Sequence, residues 1–123
     1  MATWADVTRI VTALPGVEAT AARTWKVKGK LLAWERPLRK ADLEALGAAA
    51  PRGAILGVHL PLDAKDMLLD AAPTIYFTTP HFDGYPAILL RLATIRVPAL
   101  RDLLEEAWRA RAPRRLVAQR GER

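Results

Sequence analysis

Few residues in this 123-residue chain are equipped for chemistry. His59 and His81 are the only imidazoles, and Asp83 stands two places beyond His81. On an extended segment that spacing turns both side chains the same way. With His59 they would offer two nitrogens and a carboxylate to a metal ion, or His81 and Asp83 would act as a general base and its orienter. The histidines are 22 residues apart and no spacing fixes a third ligand, so a hydrogen-bonded loop histidine is the plainer reading. The chain has no Cys, no Ser and no Asn. Thiolate and serine nucleophiles, disulfides, cysteine metal sites and glycosylation acceptors are thereby removed. Asp63, Asp66 and Asp70 read as a helix cap and a solvated face, since a hard cation needs clustered oxygens. The sequence reads as a non-enzyme that implies no metal and no cofactor.

Its cations are the stronger signal. The formal net charge is +6, and it is uneven. Residues 23–40 carry Arg23, Lys26, Lys28, Lys30, Arg36, Arg39 and Lys40 against Glu35 alone, while residues 109–123 carry Arg109, Arg111, Arg114, Arg115, Arg120 and Arg123 against Glu122 alone. The rest of the chain is slightly acidic. Localised basic stretches point to a phosphate-rich partner better than a uniform excess does. Lys26, Lys28, Lys30 and Arg36, together with Arg109, Arg111, Arg114 and Arg115, are the candidate nucleic-acid contacts. Such contacts release counterions and bind without regard to sequence. The bland counterpart is a solvated strand face whose lysines keep an edge from aggregating, plus an Arg-rich tail that aids solubility.

Aromatic residues lie close to both features. Trp25 and Trp34 are interleaved with the first basic stretch, and aromatic platforms beside cations can stack unpaired bases. Their strand register, however, assigns both to the buried face, so core packing is expected, with Arg23 over an indole. The segment His81, Phe82, Asp83 and Tyr85 is the candidate lining of a small-ligand pocket.

The elements that must position these residues follow from periodicity and punctuation. Thr3 and Asp6 suit the start of a helix whose face carries Trp4, Val7, Val11 and Leu14, stopped at Pro15-Gly16. Residues 23–36 read as a hairpin with a two-residue turn at Lys28-Gly29. That register pairs Val27 with Lys30, Trp25 with Leu32 and Arg23 with Trp34, placing Trp25, Leu32 and Trp34 together. A short helix is expected over 41–50 and a strand over 54–60, with Leu56, Val58 and Leu60 sharing a face. A helix over 64–71 follows, capped by Asp63, with Met67, Leu68 and Ala71 facing in. A strand at Ile75-Tyr76-Phe77, a loop turned at Asp83-Gly84 and a strand over 87–92 come next. The final helix starts at Pro98, carries Leu100, Leu103, Leu104, Ala107 and Arg111 at the helical period with Trp108 beside them, and ends at Pro113.

Apolar residues make up 51% of the chain and charged residues 26%, the usual mix of a folded domain. The length suits a single domain over 1–113, with 114–123 a loose basic tail. No apolar run approaches the ~20 residues of a membrane helix, and the N-terminus does not look like a signal peptide, so a cytoplasmic protein is expected. The abundance of Ala, Arg and Pro suits a high-GC bacterial genome. The order of elements gives an α+β fold, an antiparallel sheet covered by helices on one side.

Three stretches resemble the MmcQ/YjbR family: Leu14-Pro15-Gly16-Val17-Glu18 followed by a strand ending in Val27-Lys28-Gly29-Lys30; Thr79-Pro80-His81-Phe82-Asp83-Gly84-Tyr85-Pro86 followed by an apolar strand; and Leu103-Leu104-Glu105-Glu106-Ala107-Trp108-Arg109 with Ala112-Pro113. The resemblance spans about residues 3 to 117. It implies a YjbR-like α+β fold, sometimes described as a double wing and frataxin-like in outline. It also implies DNA as the partner; the two basic stretches add that it is engaged weakly and largely without sequence preference. It supplies no catalytic residues. The alternative is a protein-interaction or small-ligand module with no nucleic-acid role. The two readings part on geometry: the first requires the two basic stretches to meet on one face.

Overall fold

The computed structural model describes residues 1–51 and 53–121. Helix α1 (Trp4–Thr12) opens with the expected cap. Thr3 Oγ1 accepts from the Asp6 amide at 3.3 Å, and Asp6 returns the bond by accepting from the Thr3 amide at 2.9 Å. Strands β1 (Val17–Ala21), β2 (Thr24–Val27) and β3 (Lys30–Glu35) form a meander, followed by α2 (Lys40–Leu46) and a 3-10 turn, Gly47–Ala49. Strand β4 (Ile55–His59), α3 (Leu62–Ala71), β5 (Tyr76–Phe77) and β6 (Ala87–Arg91) come next; a 3-10 turn, Pro80–Phe82, lies between β5 and β6. Helices α4 (Val97–Arg111) and α5 (Arg114–Gly121) close the fold. The six strands form one antiparallel sheet in the order β1-β2-β3-β4-β6-β5. This is the expected α+β class.

The sheet separates two apolar clusters. On one face Trp25, Leu32, Leu56, Val58, Ile88 and Leu90 pack beneath Val7 and Val11 of α1 and Leu100, Leu104 and Trp108 of α4, with Leu68 and Leu69 of α3 at the margin. The alternation of Leu56, Val58 and Leu60 inward is as the sequence predicts. On the other face lies a smaller cluster of Ile55, Phe77, Phe82, Ala87 and Leu89, with Trp34, Leu38 and Leu46 against it. Helix α2 thus contributes Leu46 to the face that the sequence leaves uncovered.

Four expectations are corrected. The sequence reading passes over β1: its burial is almost uniformly exposed, so it carries no alternating pattern. The β2–β3 turn falls at Lys28-Gly29 with φ of +49° and +83°, as a two-residue hairpin requires, and Val27 pairs with Lys30. Beyond that point a bulge intervenes. Lys26 faces Leu31 but Trp25 faces Ala33, so Leu32 is the extra residue and Trp34 pairs with Thr24 rather than with Arg23. One inserted residue reverses the phase of a period-two pattern. Trp25 is therefore buried under the helices while Trp34 lies on the opposite face.

In α3 the expected inward set is out of phase. Met67 is 72% exposed and Ala71 is exposed, whereas Ala64, Lys65, Leu68 and Leu69 face in. The helix begins at Leu62, so Asp63 sits in its first turn and accepts from the Ala64 amide at 2.9 Å rather than preceding the helix. The buried position belongs to a lysine, which hydrophobic periodicity discounts. Finally, the stretch expected to be loose from 114 onward is helical over Arg114–Gly121. Leu116 and Val117 of α5 pack on the main core, and Arg120 forms two hydrogen bonds with Glu105 of α4, at 2.9 and 3.0 Å. Arg123 lies outside the described residues.

Candidate functional site

The hairpin tip and the end of α4 are joined directly. Arg111 Nε donates to the Leu31 carbonyl at 2.7 Å, fastening the last turn of α4 to β3. Gly16 supplies a second junction. A Cβ there would stand 2.7 Å from Leu116 Cδ1 and 3.4 Å from Lys28 Cε, so α5 and the lysine stem close over this glycine. Gly16 also has φ of +77°, which favours glycine independently. Trp108 braces the same corner, its Nε1 donating to the Pro15 carbonyl at 2.8 Å.

The predicted cations divide into two sets. Lys28, Lys30, Arg114 and Arg115 are exposed, while Lys26 and Arg111 are half-buried; among the described residues none of the six forms an ion pair. Glu18 stands opposite Lys26 across β1 and β2. The other two are committed elsewhere. Arg36 is 6% exposed, pairs with Asp42 at 3.1 Å, donates to the Pro37 carbonyl and lies 5.1 Å from the Phe82 ring centre. It is a structural cation and cannot reach a phosphate. Arg109 pairs with Glu105 at 3.1 Å, and Glu105 also holds Arg120. Those two guanidinium groups, the Arg120 hydrogen bonds foremost, hold the Glu105 carboxyl below its ordinary range. Arg23 lies over an indole as expected, that of Trp4 at 4.7 Å, and pairs with Glu35.

On the face opposite α1 and α4, Leu31, Trp34, His81, Phe82 and Tyr85 line an open cleft of about 370 Å³. Three of the four residues expected to form a pocket are there. Asp83 is not: it lines a separate hollow with Leu46, Thr78 and Thr79. His81 and Asp83 therefore do not act on a common space, and no hydrogen bond joins them. Among the described residues no group of three His, Cys, Asp or Glu side chains is placed to hold a metal ion. The cleft rings touch at steep angles. Trp34 and Phe82 are 6.3 Å apart at 42°, Phe82 and Tyr85 6.0 Å at 55°, and His81 meets Phe82 edge-on at 4.9 Å.

The loop carrying those rings is pinned from beneath. Lys65 is 3% exposed, and its Nζ donates to the carbonyls of Phe82 at 2.7 Å and Tyr85 at 2.8 Å. Burial pulls its pKa below the usual lysine value, and the charges of Asp83 and Asp66 oppose that only in part. Beside the cleft, Arg111 and His59 share a smaller hollow of about 100 Å³ with Pro86. The His59 ring meets Tyr85 edge-on at 5.9 Å. Burial first and the Arg111 charge second depress the His59 pKa, favouring the neutral imidazole.

Sequence reasoning missed Lys65, Gly57 and the role of Trp34. The signal for Lys65 was available: it is the single cation in a stretch whose i+3 and i+4 neighbours are leucines. Gly57, in the middle of β4, sits where a Cβ would come within 2.7 Å of the Trp34 ring, and an interior strand glycine marks such a close approach.

These features define a small α+β protein with a basic corner and an aromatic cleft. The chain is 54% identical over 121 residues to the uncharacterized protein Rv2570 of Mycobacterium tuberculosis, covering 95% of this chain and 94% of that one. The same figures hold for the uncharacterized protein Mb2600 of Mycobacterium bovis. The chain belongs to the family of these mycobacterial proteins. No protein-family model and no solved structure matches it.

Proposed function

We propose that this is an MmcQ/YjbR-like protein that binds nucleic-acid backbone, DNA foremost, weakly and with little regard to sequence. The carrying observation is the bond from Arg111 to the Leu31 carbonyl, which brings the two basic stretches together at one corner. Lys26, Lys28, Lys30, Arg111, Arg114 and Arg115 supply the contacts; Arg36 and Arg109, expected among them, do not. Arg114 and Arg115 stand in the first turn of α5, and that turn holds no acidic residue. That places two positive charges against the helix's positive pole, an arrangement that costs about 0.3–1 kcal/mol per charge and that a phosphate would relieve. Among the described residues no helix is long and apolar enough to cross a membrane; a cytoplasmic location belongs to this same reading.

The test is a salt titration against duplexes of random sequence. Log affinity should fall linearly with log salt, with a slope of about −0.9 per phosphate neutralised, and scarcely differ between sequences. Absence of binding at low salt overturns the proposal. The competing reading, a ligand module with no nucleic-acid role, has the aromatic cleft in its favour and expects that null result.

A further inference from the structure

The cleft and the basic corner are neighbours, because Leu31 belongs to both. Its side chain lines the cleft, its carbonyl receives Arg111, and Lys26 stands opposite it across the hairpin, on the same face of the sheet. The walls are three aromatic rings and an imidazole, and no acidic residue lines them. Tyr85 is 47% exposed and is the one aromatic among the exposed large apolar side chains. The rings meet one another at angles of 42° or more, so they do not consume their faces in mutual parallel stacking. Lys65 and the Trp34–Gly57 approach hold the walls in place before any ligand arrives. A preformed aromatic slot with no carboxylate in its lining and with Lys26 at its rim, Glu18 standing beyond that lysine across β1, suits a planar ring that carries a phosphate beside it.

We infer that the cleft between Trp34 and Tyr85 receives an unpaired base of a nucleic-acid strand whose phosphates run along Lys26 and Arg111, so that single strands are preferred to duplex. The inference rests on the backbone-binding proposal and adds the substrate form. A duplex satisfies the basic corner but keeps its bases stacked within the helix, where the slot cannot reach them. A single strand satisfies both, and base–aromatic stacking tolerates any sequence.

The experiment compares an oligodeoxythymidylate with a random duplex at one salt concentration, for the natural protein and for Tyr85→Ala and Tyr85→Phe. Tyr85 is half-exposed, so its removal leaves the core intact. The single strand should bind about tenfold more tightly and quench Trp fluorescence. Tyr85→Ala should remove most of that excess, Tyr85→Phe should keep it, and duplex affinity should not move in either. Equal affinity for both forms, unaffected by Tyr85→Ala, overturns the cleft inference and leaves the basic corner standing. Failure to bind either form removes both. Thymidine monophosphate supplies a control: if it quenches as strongly as the oligonucleotide at equal concentration, the site is one for a free nucleotide and the strand assignment is wrong.

Discussion

Trp34 on β3 lies flat against Gly57 on the neighbouring β4, so close that a Cβ on the glycine would come within 2.7 Å of Trp34 Cε2 and 2.8 Å of Cζ2. The indole is a rigid ring already backed by Phe82 at 6.3 Å, so it has little room to yield. Gly57→Ala should therefore destabilise the fold by about 1–3 kcal/mol, the range for overpacking. Urea melts measure it. In a Trp34→Ala background the same substitution should cost almost nothing, and an unchanged cost there would show that the indole is not the obstacle.

Lys65 ties α3 to the loop that carries the cleft rings. Both carbonyls it serves have another partner, since the Tyr85 amide donates to Phe82 and the Ala87 amide to Tyr85. Lys65→Met keeps the stem and removes the charge-assisted bonds, so the loss should be about 1–3 kcal/mol. Amide exchange should accelerate across 80–86 while the strands β2 to β4 keep their protection. Uniform acceleration would mean that the lysine supports the whole domain and not this loop.

The Arg36–Asp42 pair gives acid sensitivity. Burial raises the Asp42 carboxyl, but the Arg39 amide at 2.8 Å and the Arg36 charge outweigh it and leave the pKa below the ordinary 3.8. A depressed folded-state value means that the unfolded chain takes up the proton first. The stabilisation is thus complete above the ordinary carboxylate value and disappears as pH falls through the folded value. Asp42→Ala at neutral pH should cost about 3–5 kcal/mol, because it strands a buried guanidinium. Asp6 and Glu105 titrate in the same direction, so the Asp42 share is read as the difference between the natural protein and Asp42→Asn in melts from pH 7 to pH 3.

Two neighbouring arginines should behave differently toward duplex. Arg115 has no ion pair among the described residues, whereas Arg109 is engaged by Glu105. Arg115→Ala should lower the magnitude of the salt slope by about 1 and weaken low-salt binding severalfold. Arg109→Ala should leave both nearly unchanged. Anisotropy titrations across a salt series distinguish them, and equal effects would contradict the division of the basic residues drawn from the ion pairs.

Most of the architecture could be read from punctuation and period. Thr3, the Lys28-Gly29 turn, the Leu56–Val58–Leu60 alternation and the Leu100-to-Trp108 stripe each state their element locally. What escaped was set by partners distant in sequence. Strand β1 is an exposed edge whose pairing comes from β2, not from its own pattern. Lys65 is buried because two carbonyls wait for it 17 and 20 residues away. Arg36 is indistinguishable from its basic neighbours until Asp42 is seen against it. At the site, three of four pocket residues were legible from one loop, but Trp34 was assigned to the wrong face, because strict alternation has no means of anticipating an extra residue.

That extra residue, Leu32, has an evolutionary reading. Leu31 and Trp34 share the outer face although three positions separate them, because Leu32 and Ala33 both turn toward the helices. A three-nucleotide deletion that removed Leu32 would return the strand to plain alternation with Trp34 still opposite Thr24, so the groove would survive and the core would lose a buried leucine. An indel within the hairpin would thus record a change in the core while the groove persisted, invisible to any survey that scores substitutions alone.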